Sequence, residues 1–150
     1  MTTPTETTSR AVSGQLATFR LDGDLYGVEV EHVQEVLRSQ KLTRVPLAPP
    51  AVAGLINLRG QVVTAIELRE RLGRPPRPEG TDAVVIVVRL HGEAVSLLVD
   101  SIADVVDVDA TDFEAPPDTL EGQARDLIRG AYKLDGQLLL ALDVNRAVGS

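Results

Sequence analysis

Cysteine is absent from this chain of 150 residues. That excludes disulfides, thiolate catalysis and cysteine-bound zinc, and it suits a reducing compartment. Histidine is almost as scarce, with His32 in a stretch of helical pattern, His91 in a turn, and no partner motif beside either. Aromatic residues make up 3%, too few for base-stacking platforms. Nucleophile-elbow, phosphate-loop and dinucleotide-binding patterns are missing as well. The longest apolar run, "AVVIVV" at 83–88, has the length of a strand, far short of the roughly 18 to 20 residues that cross a bilayer. Residues 1–13, "MTTPTETTSRAVS", have no apolar core and read as a disordered tail, neither signal peptide nor anchor. Positive charge is in deficit: 15 basic residues face 22 acidic ones, a net charge of −7, which argues against nucleic acid or anionic membranes as partners. The expectation is a soluble, cytoplasmic protein with no catalytic residues, metal or cofactor.

What is present is apolar and repetitive. Hydrophobic residues are 43% of the chain, enough for one buried core. "RLDGDLYGVEVEHVQEV" (20–36) aligns with "RLHGEAVSLLVDSIADV" (89–105), 69 positions later. The match includes Val28/Leu97, Val30/Val99, Val33/Ile102, Val36/Val105 and the acids Glu31/Asp100 and Glu35/Asp104. "LRGQVVTAIEL" (58–68) likewise aligns with "LDGQLLLALDV" (134–144), 76 positions later. The chain therefore reads as two halves of related design.

Each unit is a hairpin about a glycine turn, at Asp22-Gly23, Arg59-Gly60, His91-Gly92 and Asp135-Gly136. "EHVQEVLR" (31–38) has Val33, Val36 and Leu37 at helical spacing. "KLTRV" reads as a short strand, and "PLAPPAVAG" as a rigid turn. Halves this small are marginal alone, so they should pack on each other. The expected division is a tail at 1–13 and a single domain at 14–146, with a first barrel at 14–72, a connector at 73–80, a second barrel at 81–146 and a tail at 147–150.

The polar residues offer little chemistry. Glu67 and Asp143 are repeat equivalents at strand ends, where carboxylates start helices. Arg69, Arg71, Arg74 and Arg77 read as a solvated helix end running into a Pro-rich connector. Seven acids between 100 and 118 lack calcium-loop spacing and read as a solvated strand edge. A rival to a binding role is a small-ligand site or weak hydrolase in the cleft between halves, using Glu67 or Asp143. Arg59 is the anomaly: its turn needs positive φ, which Gly, Asn or Asp accept more readily, and its repeat counterpart is Asp135.

Residues 33–73, "VQEVLRSQKLTRVPLAPPAVAGLINLRGQVVTAIELRERLG", resemble the corresponding stretch of CheW-like domains, the coupling proteins of bacterial chemotaxis. The combined V-x-E-V, P-x-x-P and G-x-x-N-L-R-G pattern is specific, and the likeness covers residues 14–146. The resemblance implies a mainly β fold of two packed SH3-like five-stranded barrels, with short helices after the second strand and at the C-terminus. It implies a non-catalytic adaptor between the cytoplasmic tip of methyl-accepting chemoreceptors and the regulatory domain of the histidine kinase CheA, recruited to membrane receptor arrays. By position, Glu35 and Arg59 would meet beside the first barrel, with Val33, Val36 and Leu58 supplying apolar receptor-binding surface. A local pair of Glu35 with Arg38 is the alternative. Val95, Leu97 and Val99 would face the kinase, or else form core.

Overall fold

The computed structural model describes residues 13–38, 40–120 and 122–148. Eleven strands form two sheets. The first has six strands: β1 (Gly14–Leu21), β2 (Asp24–Glu29), β8 (Ser101–Val108), β9 (Phe113–Glu114), β10 (Ile128–Leu134) and β11 (Gln137–Leu142). Their order is β8-β1-β2-β11-β10-β9. The second has five: β3 (Val33–Leu37), β4 (Val52–Leu58), β5 (Gln61–Glu67), β6 (Val84–Leu90) and β7 (Glu93–Val99), in the order β3-β6-β7-β5-β4. Among the described residues there are also three short α-helices: α1 (Leu68–Arg71), α2 (Gly122–Leu127) and α3 (Val144–Val148).

The two orders are the same order. The 69- and 76-residue offsets map β1, β2, β10 and β11 onto β6, β7, β4 and β5, and β8 onto β3. The registers agree residue by residue. Val36 pairs with Ile86 as Val105 pairs with Ala17, and the parallel pair Ala65 with Ser96 repeats Ala141 with Gly27. Even the irregularities coincide, at Val52/Gly54 and at Ile128/Gly130. Glycine is required at both, because a Cβ on Gly54 would lie 2.6 Å from the Thr43 carbonyl oxygen and one on Gly130 2.5 Å from that of Glu114.

This corrects the expected division. The halves do not form consecutive barrels at 14–72 and 81–146. Each donates its first hairpin to the other, so one sheet is built from residues 33–99 and the other from the segments on either side. The connector at 73–80 joins two elements of the same five-stranded sheet. The physical reason is that β2 and β7 are central strands needing a neighbour on each side, and β11 and β5 supply it in parallel from the other half.

Local expectations also shift. Residues 31–38 are not a helix: a 3-10 turn at Val30–His32 leads into strand β3, which pairs with β6 from Val33 with Val88 to Leu37 with Val85, with an irregularity between Val33 and Glu35. "KLTRV" supplies a single bridge, Thr43 with Leu55. Residues 147 and 148 belong to α3, with Ala147 buried, so they are not tail. Residues 1–12, 149 and 150 lie outside the described residues, and with them all but one residue of the first expected tail and half of the second.

The core is tripartite. Ile56, Leu58, Val63, Ala65, Val85, Val87 and Leu98 fill the five-stranded sheet. Leu16, Leu25, Val108, Tyr132, Leu139 and Ala141 fill the six-stranded one. Between them lies the largest cluster, including Phe19, Tyr26, Ile86, Val88, Leu97, Val99 and Leu140. "AVVIVV" alternates between two apolar surroundings, Val85 and Val87 inside the sheet and Ile86 and Val88 between sheets, which is why it is apolar without a break.

Candidate docking face

Arg59 and Glu35 do meet. The Arg59 guanidinium donates from Nη1 to Glu35 Oε2 at 3.1 Å and from Nη2 to Oε1 at 2.5 Å. Strand order gives this fork its meaning. β3 and β4 are the opposite margins of the five-stranded sheet, and Arg59 stands on the turn directly after β4, so the pair links the two margins across the sheet's curl.

The turn is built to hold an arginine in an unfavourable conformation. Arg59 has φ 50 and Gly60 φ 88, a left-handed pair that fits a two-residue hairpin. Asn57 Oδ1 accepts the Gly60 N–H at 2.9 Å, which explains the asparagine two positions before the arginine. Glu35 is held from its other flank, where Gln34 Nε2 donates to Oε2 at 3.3 Å and Arg89 Nε donates to Gln34 Oε1 at 2.8 Å. The Arg59 side chain remains 69% exposed and that of Glu35 21%. The local alternative does not form, since Glu35 pairs across the sheet and not with Arg38.

The apolar residues expected here divide. Val36 is exposed, but on the face of β3 opposite to Glu35, and Val33 is partly buried against the inter-sheet core. Leu58 is a core residue of the five-stranded sheet and offers no docking surface. Sheet order overturns the other assignment too. β7 is a central strand, with Leu97 and Val99 at 0% exposure, so neither can touch a kinase; Val95 is partly buried against the inter-sheet core.

The arginines after β5 are not a solvated helix end. Arg69 Nε and Nη2 grip Asp100 Oδ1 and Oδ2 at 3.0 and 2.7 Å, and Nη1 reaches the Pro75 carbonyl at 2.8 Å. Arg77 forks onto Glu67 at 2.9 and 3.2 Å and also reaches Asp100. Arg74 binds Asp22, Asp24 and the Tyr26 hydroxyl. Arg71 donates to the carbonyls of Ala147 and Arg146. Burial pushes the Asp100 carboxyl up, but hydrogen bonds from Arg69 and the Asp22 N–H, with the charges of Arg69 and Arg77, outweigh it and hold it down at about 2. Asp100 sits where the chain passes from β7 to β8, so this network pins the connector across both sheets. Its signal in the sequence was one sided: four arginines were visible, their acids were scattered over distant turns.

Catalytic readings gain no support. Glu67 accepts the Arg69 N–H and Asp143 the Arg146 N–H, each at the start of a short helix. Among the described residues no three His, Asp or Glu side chains gather to hold a metal ion. Nor is any helix among them long and apolar enough to cross a membrane.

Comparison with known proteins agrees with this geometry. The family model described as the CheW-like domain matches residues 15–150. A chemotaxis protein CheW of Treponema pallidum is 29% identical over 140 residues, covering 91% of this chain and 82% of the relative. One from Bacillus subtilis is 30% identical over 131 residues, covering 87% and 84%. The crystal structure of a scaffolding protein, TtCheW from Thermoanaerobacter tengcongensis, superposes with a TM-score of 0.77 at 28% identity, covering 87% of this chain and 89% of the other.

Proposed function

The chain belongs to the CheW-like domain family, and from that premise we propose that it couples the cytoplasmic tip of methyl-accepting chemoreceptors to the regulatory domain of the histidine kinase CheA. It acts as a non-catalytic chemotaxis adaptor, promoting kinase activation and drawing itself into receptor arrays through these partners.

The observation that carries the receptor side is the exposed Arg59–Glu35 fork on a left-handed turn. An exposed ion pair contributes only about 0 to 1 kcal/mol, so stability is a weak reason to place an arginine there. A rigid, bidentate arginine held at the edge strand β3, which exposes Val36 on its other face, suits a partner helix laid along that edge.

The test is a reconstituted assay of receptor-containing membranes, CheA and this protein. Wild type is expected to co-sediment and raise kinase autophosphorylation, and Arg59→Glu to abolish both while retaining its circular dichroism spectrum and Tm within a few degrees. Coupling by Arg59→Glu at wild-type levels, or loss of its fold, would remove Arg59 from the docking face.

A further inference from the structure

Residues 36–66 hold four cations, Arg38, Lys41, Arg44 and Arg59, and not one of the chain's 22 acids. A chain of net charge −7 thus carries one continuous stretch of opposite sign. The same stretch supplies Val36, Val45, Leu47 and Val62, four of the seven large hydrophobic side chains that are exposed among the described residues. Basic and apolar exposure therefore coincide within one acid-free segment of the chain. Among the described residues no carboxylate pairs with Arg38, Lys41 or Arg44.

Leu47 is the sharpest feature. It is fully exposed, at 103%, and has φ 65. It occupies the third position of a turn in which Pro46 is second and the Ala48 N–H donates to the Val45 carbonyl at 3.3 Å. Such a turn calls for glycine at that position, and a leucine there bears steric strain with no burial in return. Of the four non-glycine residues with positive φ among the described residues, Asp22 and His91 are types that tolerate it, whereas Leu47 and Arg59 are not. Both of the disfavoured residues stand on the acid-free stretch.

The loop is also preorganised. Thr43 and Leu55 exchange backbone hydrogen bonds at 2.9 and 2.8 Å, Leu42 packs against the core of the sheet, and Pro46, Pro49 and Pro50 stiffen the chain between there and β4. A rigid loop that presents an unburied leucine between cations loses little entropy on binding.

We propose that residues 41–47, with Arg38, form a second docking element continuous with the Glu35–Arg59 face, and that it takes an acidic segment of a protein partner whose apolar side chain covers Leu47. Charge complementarity selects the partner: carboxylates opposite Arg38, Lys41 and Arg44, and an aliphatic or aromatic side chain opposite Leu47. An anionic bilayer fits less well, because the rest of the chain is acidic and would be repelled by it. The identity of the probe rests on the adaptor reading.

The experiment titrates full-length wild type, Arg59→Glu, Leu47→Gly and the double variant Lys41→Glu/Arg44→Glu against two probes by calorimetry at low and high salt. The probes are the soluble cytoplasmic-tip fragment of a chemoreceptor from the same organism and its CheA regulatory domain. Leu47→Gly is expected to bind at least one probe ten-fold more weakly while its Tm stays level or rises, a combination that a structural role for the leucine does not give. The double variant is expected to lose at least ten-fold, with a flatter salt dependence. Wild-type affinity of both variants for both probes, with Arg59→Glu still impaired, overturns the second element and leaves the adaptor reading standing. Failure of wild type to bind either probe overturns both. Binding of wild type to phosphatidylserine vesicles that the double variant loses overturns the protein partner in favour of a lipid one.

Discussion

Asn57 and Ser96 show how single side chains set the balance between fold and docking. Asn57 fixes the turn beneath Arg59 through one hydrogen bond to the Gly60 N–H, so Asn57→Ala is expected to cost about 1 kcal/mol and to weaken receptor coupling less than Arg59→Glu does. Ser96 is the reverse case. Its hydroxyl is fully buried without a partner, and its repeat equivalent, Gly27, has no side chain to satisfy. Ser96→Ala should therefore raise the urea-unfolding free energy by about 1 kcal/mol; a decrease would mean the hydroxyl is satisfied in solution. The sequence displayed Arg59 because a motif and a repeat both marked it as out of place. Leu47 was invisible there, since the sign of φ is a backbone property and a leucine in a proline-rich turn looks ordinary.

At the scale of elements, the Asp100 network and the two close-approach glycines carry the measurable consequences. Arg69 is nearly buried, with 8% of its side chain exposed, so Arg69→Ala would leave Asp100 without its main counter-charge and should cost about 3 kcal/mol. Asp100 itself has a carboxyl lowered from 3.8 to about 2. Its folded pKa lies below its unfolded one, so the stabilisation is complete above about pH 4 and disappears as pH falls toward 2, amounting to about 2 kcal/mol. Acid unfolding of Asp100→Asn, followed by circular dichroism, should lack that part of the pH dependence. Gly130→Ala should be far more damaging than an average loop glycine change, because its Cβ would meet both the Phe113 ring and the Glu114 carbonyl. The strands were readable from alternation and turn glycines. The stretch 31–38 was not, because Val33, Val36 and Leu37 satisfy helical spacing and only the neighbouring β6 selects a strand.

For the molecule as a whole, the exchange of hairpins between halves decides how the chain can be divided. Chains of residues 1–76 and 77–150 produced separately should lack fixed tertiary structure and recover the native spectrum only when mixed. Independent folding of either would contradict the shared sheets. Local likeness revealed the repeat but could not reveal the exchange, since identical hairpins pair equally well within a half or across halves until the parallel neighbours β11 and β5 are known. The same architecture dictates a schedule during synthesis. Residues 33–99 can close their five-stranded sheet as soon as they leave the ribosome, whereas β1 and β2, made first, must wait for β8 and β11 near the other end. The earliest hairpin is thus the last to find its place, and the slow, long-range closure that ends folding falls on the N-terminal strands of the chain.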